Sequence, residues 1–433
     1  MKRIAVVLSF VLAFNSGLAA KAAVKSGTAC KKLGITSTVS GIKFTCIKSG
    51  SKLIWNKGVK VKSSTPTPSA KPSTSAKSQP DLSEDLRITN VSQLSNPQIC
   101  KTIDLTERND VNNGFPRSSA ALQAPSLVKI LILPINLADV PFTDSDLSKV
   151  KSAVDKTSEI YKTITYGKLK MEFTIPEKSE WVTLNKTADS YGIVENKPQQ
   201  NNEIVVIDAI AASSSKINFD LYDGVIVETG FFKSSGGGQG FPGQKYPTAH
   251  GTAKGVSFEF GTGVGQWQTI AHEFGHSLFF LEDLYVFLNS NRPSVPDPLP
   301  AGRWDMMSSS EPTFFGWSRL LMGYLEDSEF RCVSDQKEST HYLTNIDSKT
   351  GNKLVLLNIK EGRTLAMEAR TAYDSNQGLL VYEIDSSINH GDGPIKAQKK
   401  LLYEGDLLTV LGYAITVKAS DKKGLLFSLT KLI

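Results

Sequence analysis

Residues Thr269–Tyr285 read TIAHEFGHSLFFLEDLY. His272 and His276 are four apart, hence about 40° apart around a helix, so both imidazoles can reach one metal ion. Glu273 sits beside them, and its carboxylate can accept a proton from an activated water and pass it to a leaving amine. Ile270, Phe274, Leu278 and Phe279 supply an apolar stripe that would bury this helix in a core. The HExxH spacing therefore predicts a buried zinc-site helix with Glu273 as general base and acid.

Upstream, LVKILILPINL (127–137) is a near-continuous apolar run, the pattern of a central strand covered on both faces. A helix is expected after Asp144 and Ser145, through Leu147, Val150, Val154, Ile160 and Tyr161, ending near Tyr166 and Gly167. KLKMEFTI (168–175) alternates as a strand, and EKSEWVTL continues in that style. A second helix is expected over 202–212 and a buried strand over DGVIVET (223–229). SSGGGQG (234–240) reads as a loop. It lacks the GK[ST] ending of a phosphate cradle, and the glycines from Gly261 to Gly265 do not form a strand-linked GxGxxG. There is no GxSxG elbow either. The expected class is α+β or α/β.

Downstream of Lys337, short alternating runs such as KLVLLNI, TLAMEAR and GLLVYEID, separated by Gly, Asn and Asp turns, predict an antiparallel β-sandwich. His341 and His390 stand alone there and read as surface residues, whereas His250, upstream of the motif, is placed to line a cleft.

Several segments, in order, resemble the immune inhibitor A family of secreted zinc metallopeptidases: SEIYKTITYGKLKMEFTI, YDGVIVETG, HEFGH, WDMM (304–307), FFGWSRLLMGYL (314–325) and LLVYEID (379–385). The resemblance covers roughly residues 125–390. It implies a metzincin-like catalytic domain holding Zn²⁺, with WDMM as a methionine turn that packs Met307, or Met306, beneath the imidazoles. It also exposes a departure. Metzincins place Gly three residues after the second histidine and the third ligand three residues later. Here the Gly position is Phe279. Counting residues points to Glu282 as third ligand, whereas the family's Asp-x-Tyr ending points to Asp283, as though one residue were inserted; Asp283 is favoured, and a site with neither carboxylate stays open. On an unbroken helix Asp283 would stand about 16 Å along the axis from His272, so the chain must bend near Phe279–Leu281.

The chain begins MKRIAVVLSFVLAFNSGLAA, a basic start, a short apolar run and small residues, as in a secretory signal over 1–23. Export makes disulfides stable, and the four cysteines then read as a local pair, Cys30 with Cys46, leaving Cys100 with Cys332, although four cysteines allow three pairings. Residues 24–62 predict a small basic, disulfide-clipped β module, which resembles short cysteine-paired modules of exported actinobacterial proteins. Residues 63–85 form a linker: thirteen of the eighteen residues from Ser63 to Pro80 are Ser, Thr or Pro. A catalytic domain over 86–335 and the sandwich over 336–433 complete the organisation.

The net charge of +6 hides an asymmetry, because Lys21–Pro80 holds twelve lysines and no acidic residue, so the body is anionic. Such a front end suits anionic cell-wall polymers or a membrane surface, with salt-sensitive affinity. No nucleic acid is expected. The sequence reading is a secreted zinc endopeptidase acting on extracellular proteins or peptides, with a front end suited to association with the cell envelope. The alternative is a peptidase-like adhesion protein without activity.

Overall fold

Cys30 and Cys46 are disulfide-bonded and close a small antiparallel sheet of β1 (Thr36–Val39), β2 (Ile42–Ser49), β3 (Lys52–Trp55) and β4 (Val59–Lys60). The central strand β2 pairs with all three others. Alternation along β2 turns Phe44 and Cys46 inward against Trp55, and these three are the buried core. So few apolar residues make a marginal core, which the disulfide supports. Lys43, Lys48, Lys52 and Lys57 are exposed.

The computed structural model describes residues 25–60, except 31–32, 34 and 40–41, and residues 94–432, except 107–109, 194–201, 231–236, 262–264, 289–290, 310, 335–336 and 372–376. The expected signal peptide, the linker and the domain start at Leu86 lie outside the described residues. The small module and the larger body are two separate compact units.

The body opens with α1 (Pro97–Cys100), capped by the Asn96 side chain, and the Cys100–Cys332 disulfide anchors it. Both expected disulfides are therefore present, consistent with an oxidising environment. Next come β5 (Leu127–Asn136), α2 (Asp144–Ile164), β6 (Lys170–Thr174), β7 (Val182–Thr183), α3 (Asn202–Ser213), β8 (Gly224–Thr229), β9 (Gly237–Phe241), β10 (Tyr246–Thr248), β11 (Gly251–Ala253), β12 (Val256–Phe260) and α4 (Gln266–Ser277). The main sheet has the order β6-β5-β8-β12-β9, parallel except for β9, which runs antiparallel to β12 at the edge.

The apolar run of β5 is explained by helices on both faces. Val128, Ile130 and Ile132 join a core with Val150, Val154 and Tyr161 of α2 and Ile270 and Phe274 of α4. Leu131, Leu133 and Ile135 face the opposite way, into a second core with Val205, Val206, Ala209 and Ile210 of α3. A capping box, Thr143 with Asp146, starts α2 where expected. EKSEWVTL, by contrast, is mostly not strand. Lys178–Glu180 forms a 3₁₀ turn, closed by Glu177 N–H donating to Glu180 Oε2 at 3.1 Å, and only β7 pairs with β5.

Among the described residues after α4 follow α5 (Met306–Ser309), α6 (Gly316–Leu321) and nine strands: β13 (Phe330–Ser334), β14 (Glu338–Thr344), β15 (Leu354–Lys360), β16 (Arg363–Thr371), β17 (Gln377–Asp385), β18 (Ile395–Ala397), β19 (Leu407–Val410), β20 (Tyr413–Ser420) and β21 (Gly424–Lys431). They form two sheets, β13-β15-β16-β17-β18 and β14-β21-β20-β19. The sandwich is antiparallel except for β13, which pairs parallel with β15. Moreover, β13 lies before residue 336, inside the stretch assigned to the catalytic domain. The first sheet is buried on both faces: Val355 and Leu357 enter the sandwich core, while Leu354 and Leu356 join the core beneath α4. The sandwich and the helical layer thus share one continuous core.

His341 is not at the surface. It points inward with Ser339 and Leu343, 1% exposed, and its Nε2 hydrogen-bonds Ser339 Oγ at 2.8 Å. Burial, reinforced by the charge of Arg331, pulls its pKa down to about 3.

Candidate metal centre

Helix α4 is buried along nearly its whole length between α2 and β9, and Tyr161 of α2 donates a hydrogen bond from its hydroxyl to Ala271 O at 2.8 Å. Gly275, between the two histidines, is required by contact: a Cβ there would lie 2.4 Å from Met307 Sδ. Met306 and Met307 are both fully buried. Asp305 holds their turn, accepting from Met307 N–H (2.8 Å), Phe315 N–H (2.7 Å) and Ser318 Oγ (2.7 Å).

The helix stops at Ser277, and the bend falls where expected. Phe280 adopts the left-handed conformation, φ 54°, unusual for a bulky residue. Its N–H reaches His276 O at 3.0 Å, and Leu281 N–H returns to Gly275 O at 2.9 Å. The turning residue is thus one past Phe279, the position that metzincins give to glycine. Arg117, which the sequence did not single out, clamps the bend: its Nη2 donates to Phe279 O (2.6 Å) and Phe280 O (3.1 Å).

This bend brings Asp283 back over the helix. His272 Nδ1 donates to Met306 O at 3.0 Å and His276 Nδ1 donates to Leu281 O at 2.7 Å. With both Nδ1 protons committed to carbonyls, both Nε2 atoms offer lone pairs to the same point. They lie 3.1 Å apart, and Asp283 Oδ1 is 2.9 Å from His272 Nε2 and 3.2 Å from His276 Nε2. Such a cluster can share a proton or surround a metal ion. Ligands bound at about 2.0–2.1 Å in tetrahedral geometry stand about 3.3–3.4 Å apart, close to these separations. His272, His276 and Asp283, all buried, could therefore hold a metal ion. Glu282 does not join them. Its Oε1 faces away, 3.4 Å from His390 Nδ1.

The electrostatics agree with a site built for a cation. Burial works against charge on His272, but the hydrogen bond and charge of Asp283 override it and hold the pKa up at about 9. Burial likewise opposes the Asp283 carboxylate, yet His276 and His272 keep it well below the usual range. A metal would bind in competition with these protons.

Glu273 is fully buried, and its Oε2 accepts from Gly240 N–H at 2.6 Å, while Oε1 has no hydrogen-bond partner among the described residues. Burial raises its pKa, against the pull of His272 and His276. Gly240 belongs to the stretch expected as a loop, and this part of it is strand β9. The glycines let that strand press against α4, for a Cβ on Gly240 would meet His276 Cβ at 2.9 Å and one on Gly238 would meet Glu273 Cγ at 2.8 Å. The signal was present as a glycine run, but it marked close approach and not a turn. Glu259 of β12, aligned with Glu228 of β8, adds further buried carboxylates beside Glu273, and burial raises both well above the usual range.

Two histidines are placed differently from expectation. His250 is exposed in the β10–β11 turn, away from the site, because the hairpin projects it into solvent. His390, expected at the surface, has a side chain only 7% exposed and lies beside Glu282 and Asp283. Its loop is drawn in by Phe287 N–H donating to Gly391 O at 2.8 Å. Among the described residues no helix is long and apolar enough to cross a membrane. No family model matches the chain, and no curated protein matches it.

Proposed function

We propose that the chain is an exported zinc-dependent endopeptidase of metzincin-like architecture, as its resemblance to the immune inhibitor A family implies. The observation that carries this reading is the convergence of His272 Nε2, His276 Nε2 and Asp283 Oδ1 beside a buried Glu273 with one oxygen anchored and the other without a hydrogen-bond partner among the described residues. Two imidazoles and one carboxylate suit zinc; calcium and magnesium take oxygen ligands. A zinc ion held there supplies a Lewis acid and makes water a nucleophile at neutral pH.

The chain's own residues do the rest. Gly240 N–H fixes Glu273 Oε2, which leaves Oε1 to take a proton from the attacking water and return it to the leaving amine. Strand β9 ends the sheet next to Glu273, and a strand at such an edge can pair with an extended peptide backbone. That edge supports a reading in which the substrates are proteins or peptides.

The test is Glu273→Gln, with bound zinc and casein hydrolysis measured together. Retained zinc with turnover reduced by several powers of ten is expected. Unchanged hydrolysis removes Glu273 from the mechanism, and a wild-type chain without zinc or hydrolysis favours the adhesion alternative.

A further inference from the structure

We propose that His390 is a positioning residue of the metal centre, supplied by the sandwich: its imidazole steadies Asp283 through the carboxylate oxygen that does not face His272 and His276, and Glu282 sets the orientation of the ring. The proposal rests on the metal reading above and adds a second sphere to it.

His390 lies in the loop between β17 and β18, and that loop is fastened to the segment following Asp283 at several points. Val286 bridges Asp392, Phe287 N–H donates to Gly391 O at 2.8 Å, and Arg292 Nη1 donates to Asp392 Oδ1 at 2.5 Å. Phe287 stands edge-on to the imidazole, with ring centres 4.8 Å apart. The ring is therefore held in place by packing and backbone contacts together. Its Nδ1 is 3.4 Å from Glu282 Oε1 and its Nε2 is 3.9 Å from Asp283 Oδ2.

Asp283 presents Oδ1 to the two ligand histidines, whereas Oδ2 has no hydrogen-bond partner among the described residues, although the side chain is fully buried. A carboxylate fixed at one oxygen can still swing about its terminal bond, so an imidazole nitrogen facing the other oxygen, at ion-pair rather than hydrogen-bond distance, limits that motion and fixes the ligand's aim. The location of His390 outside the metal helix means that docking of the sandwich helps to complete the metal site.

The experiment measures zinc affinity of the full chain by competition with a chromophoric chelator, alongside thermal unfolding and the visible spectrum of the cobalt-loaded protein. His390→Ala should weaken zinc binding about 10–100-fold and change the cobalt spectrum, the usual effect of losing an outer-sphere partner. His390→Gln, whose amide keeps a polar N–H group beside Asp283, should recover most of that loss. Wild-type affinity in His390→Ala overturns the proposal. So does His390→Gln that binds as weakly as His390→Ala while unfolding at the wild-type temperature, because the ring would then act by packing alone. A wild-type chain that takes up no zinc overturns the metal reading itself, an outcome distinct from both.

Discussion

Replacing Asp283 with Asn keeps the side chain's volume and removes its charge, while replacing Glu282 with Gln makes the same change one residue earlier. In the structure Asp283 Oδ1 is 2.9 and 3.2 Å from the two Nε2 atoms, and the group is fully buried, whereas Glu282 faces His390. Removing one member of a buried, charge-paired set costs about 3–5 kcal/mol. At 1.4 kcal/mol per decade that is about 140- to 3,700-fold in zinc affinity for Asp283→Asn. Glu282→Gln reaches the metal ligands at one remove, through His390, and should cost about 10–100-fold or less. Chelator competition gives both affinities, and casein hydrolysis at saturating zinc separates lost metal from lost turnover. Wild-type affinity in Asp283→Asn, or a larger loss in Glu282→Gln, would refute the assignment and return the third ligand to simple residue counting.

Arg117→Met removes the donor that clamps the Phe279–Phe280 bend, so zinc affinity should fall together with thermal stability; hydrogen bonds from a charged group are each worth about 1.5–3 kcal/mol, and an unchanged melting temperature would refute the clamp. His341, held neutral to about pH 3, opposes acid stability: the unfolded chain gains a proton below its ordinary value near 6.5 and the folded chain does not. Stability should therefore fall by about 1.4 kcal/mol per pH unit on going below that value, and His341→Leu should remove one proton's worth of this slope from urea midpoints measured at several pH values; an unaltered slope would refute it. A chain starting at Leu86 should hydrolyse soluble substrate normally but bind isolated anionic envelopes less well at low salt, and equal envelope retention with and without the lysine-rich front end would sink that role.

Much of the body was legible because it depends on local periodicity. The run 127–137 announced a strand covered on both faces, and Val128 and Leu131 enter opposite cores. The cysteines paired as their number and spacing indicated. The glycines of 237–240 misled because glycine permits both turns and tight approach, and the sequence does not say which partner approaches. His341 and His390 were misplaced for a related reason. A single histidine in a strand or loop carries no periodic signal of burial.

What the amino-acid sequence determined by itself is the chemistry within reach of one helical turn. His272 and His276 share a face at any α-helical geometry, with Glu273 beside them, and the apolar stripe on the opposite face docks the helix into a core. The choice between Glu282 and Asp283 belonged to the tertiary structure. Helical periodicity ends at Ser277, and the direction taken afterwards is set by a left-handed Phe280 whose carbonyl is gripped by Arg117, a residue distant in sequence. The same holds for His390, which reaches the site only because the sandwich shares its core with the metal helix. Local spacing can specify which donors exist; where the last of them points depends on contacts between segments that the spacing does not encode.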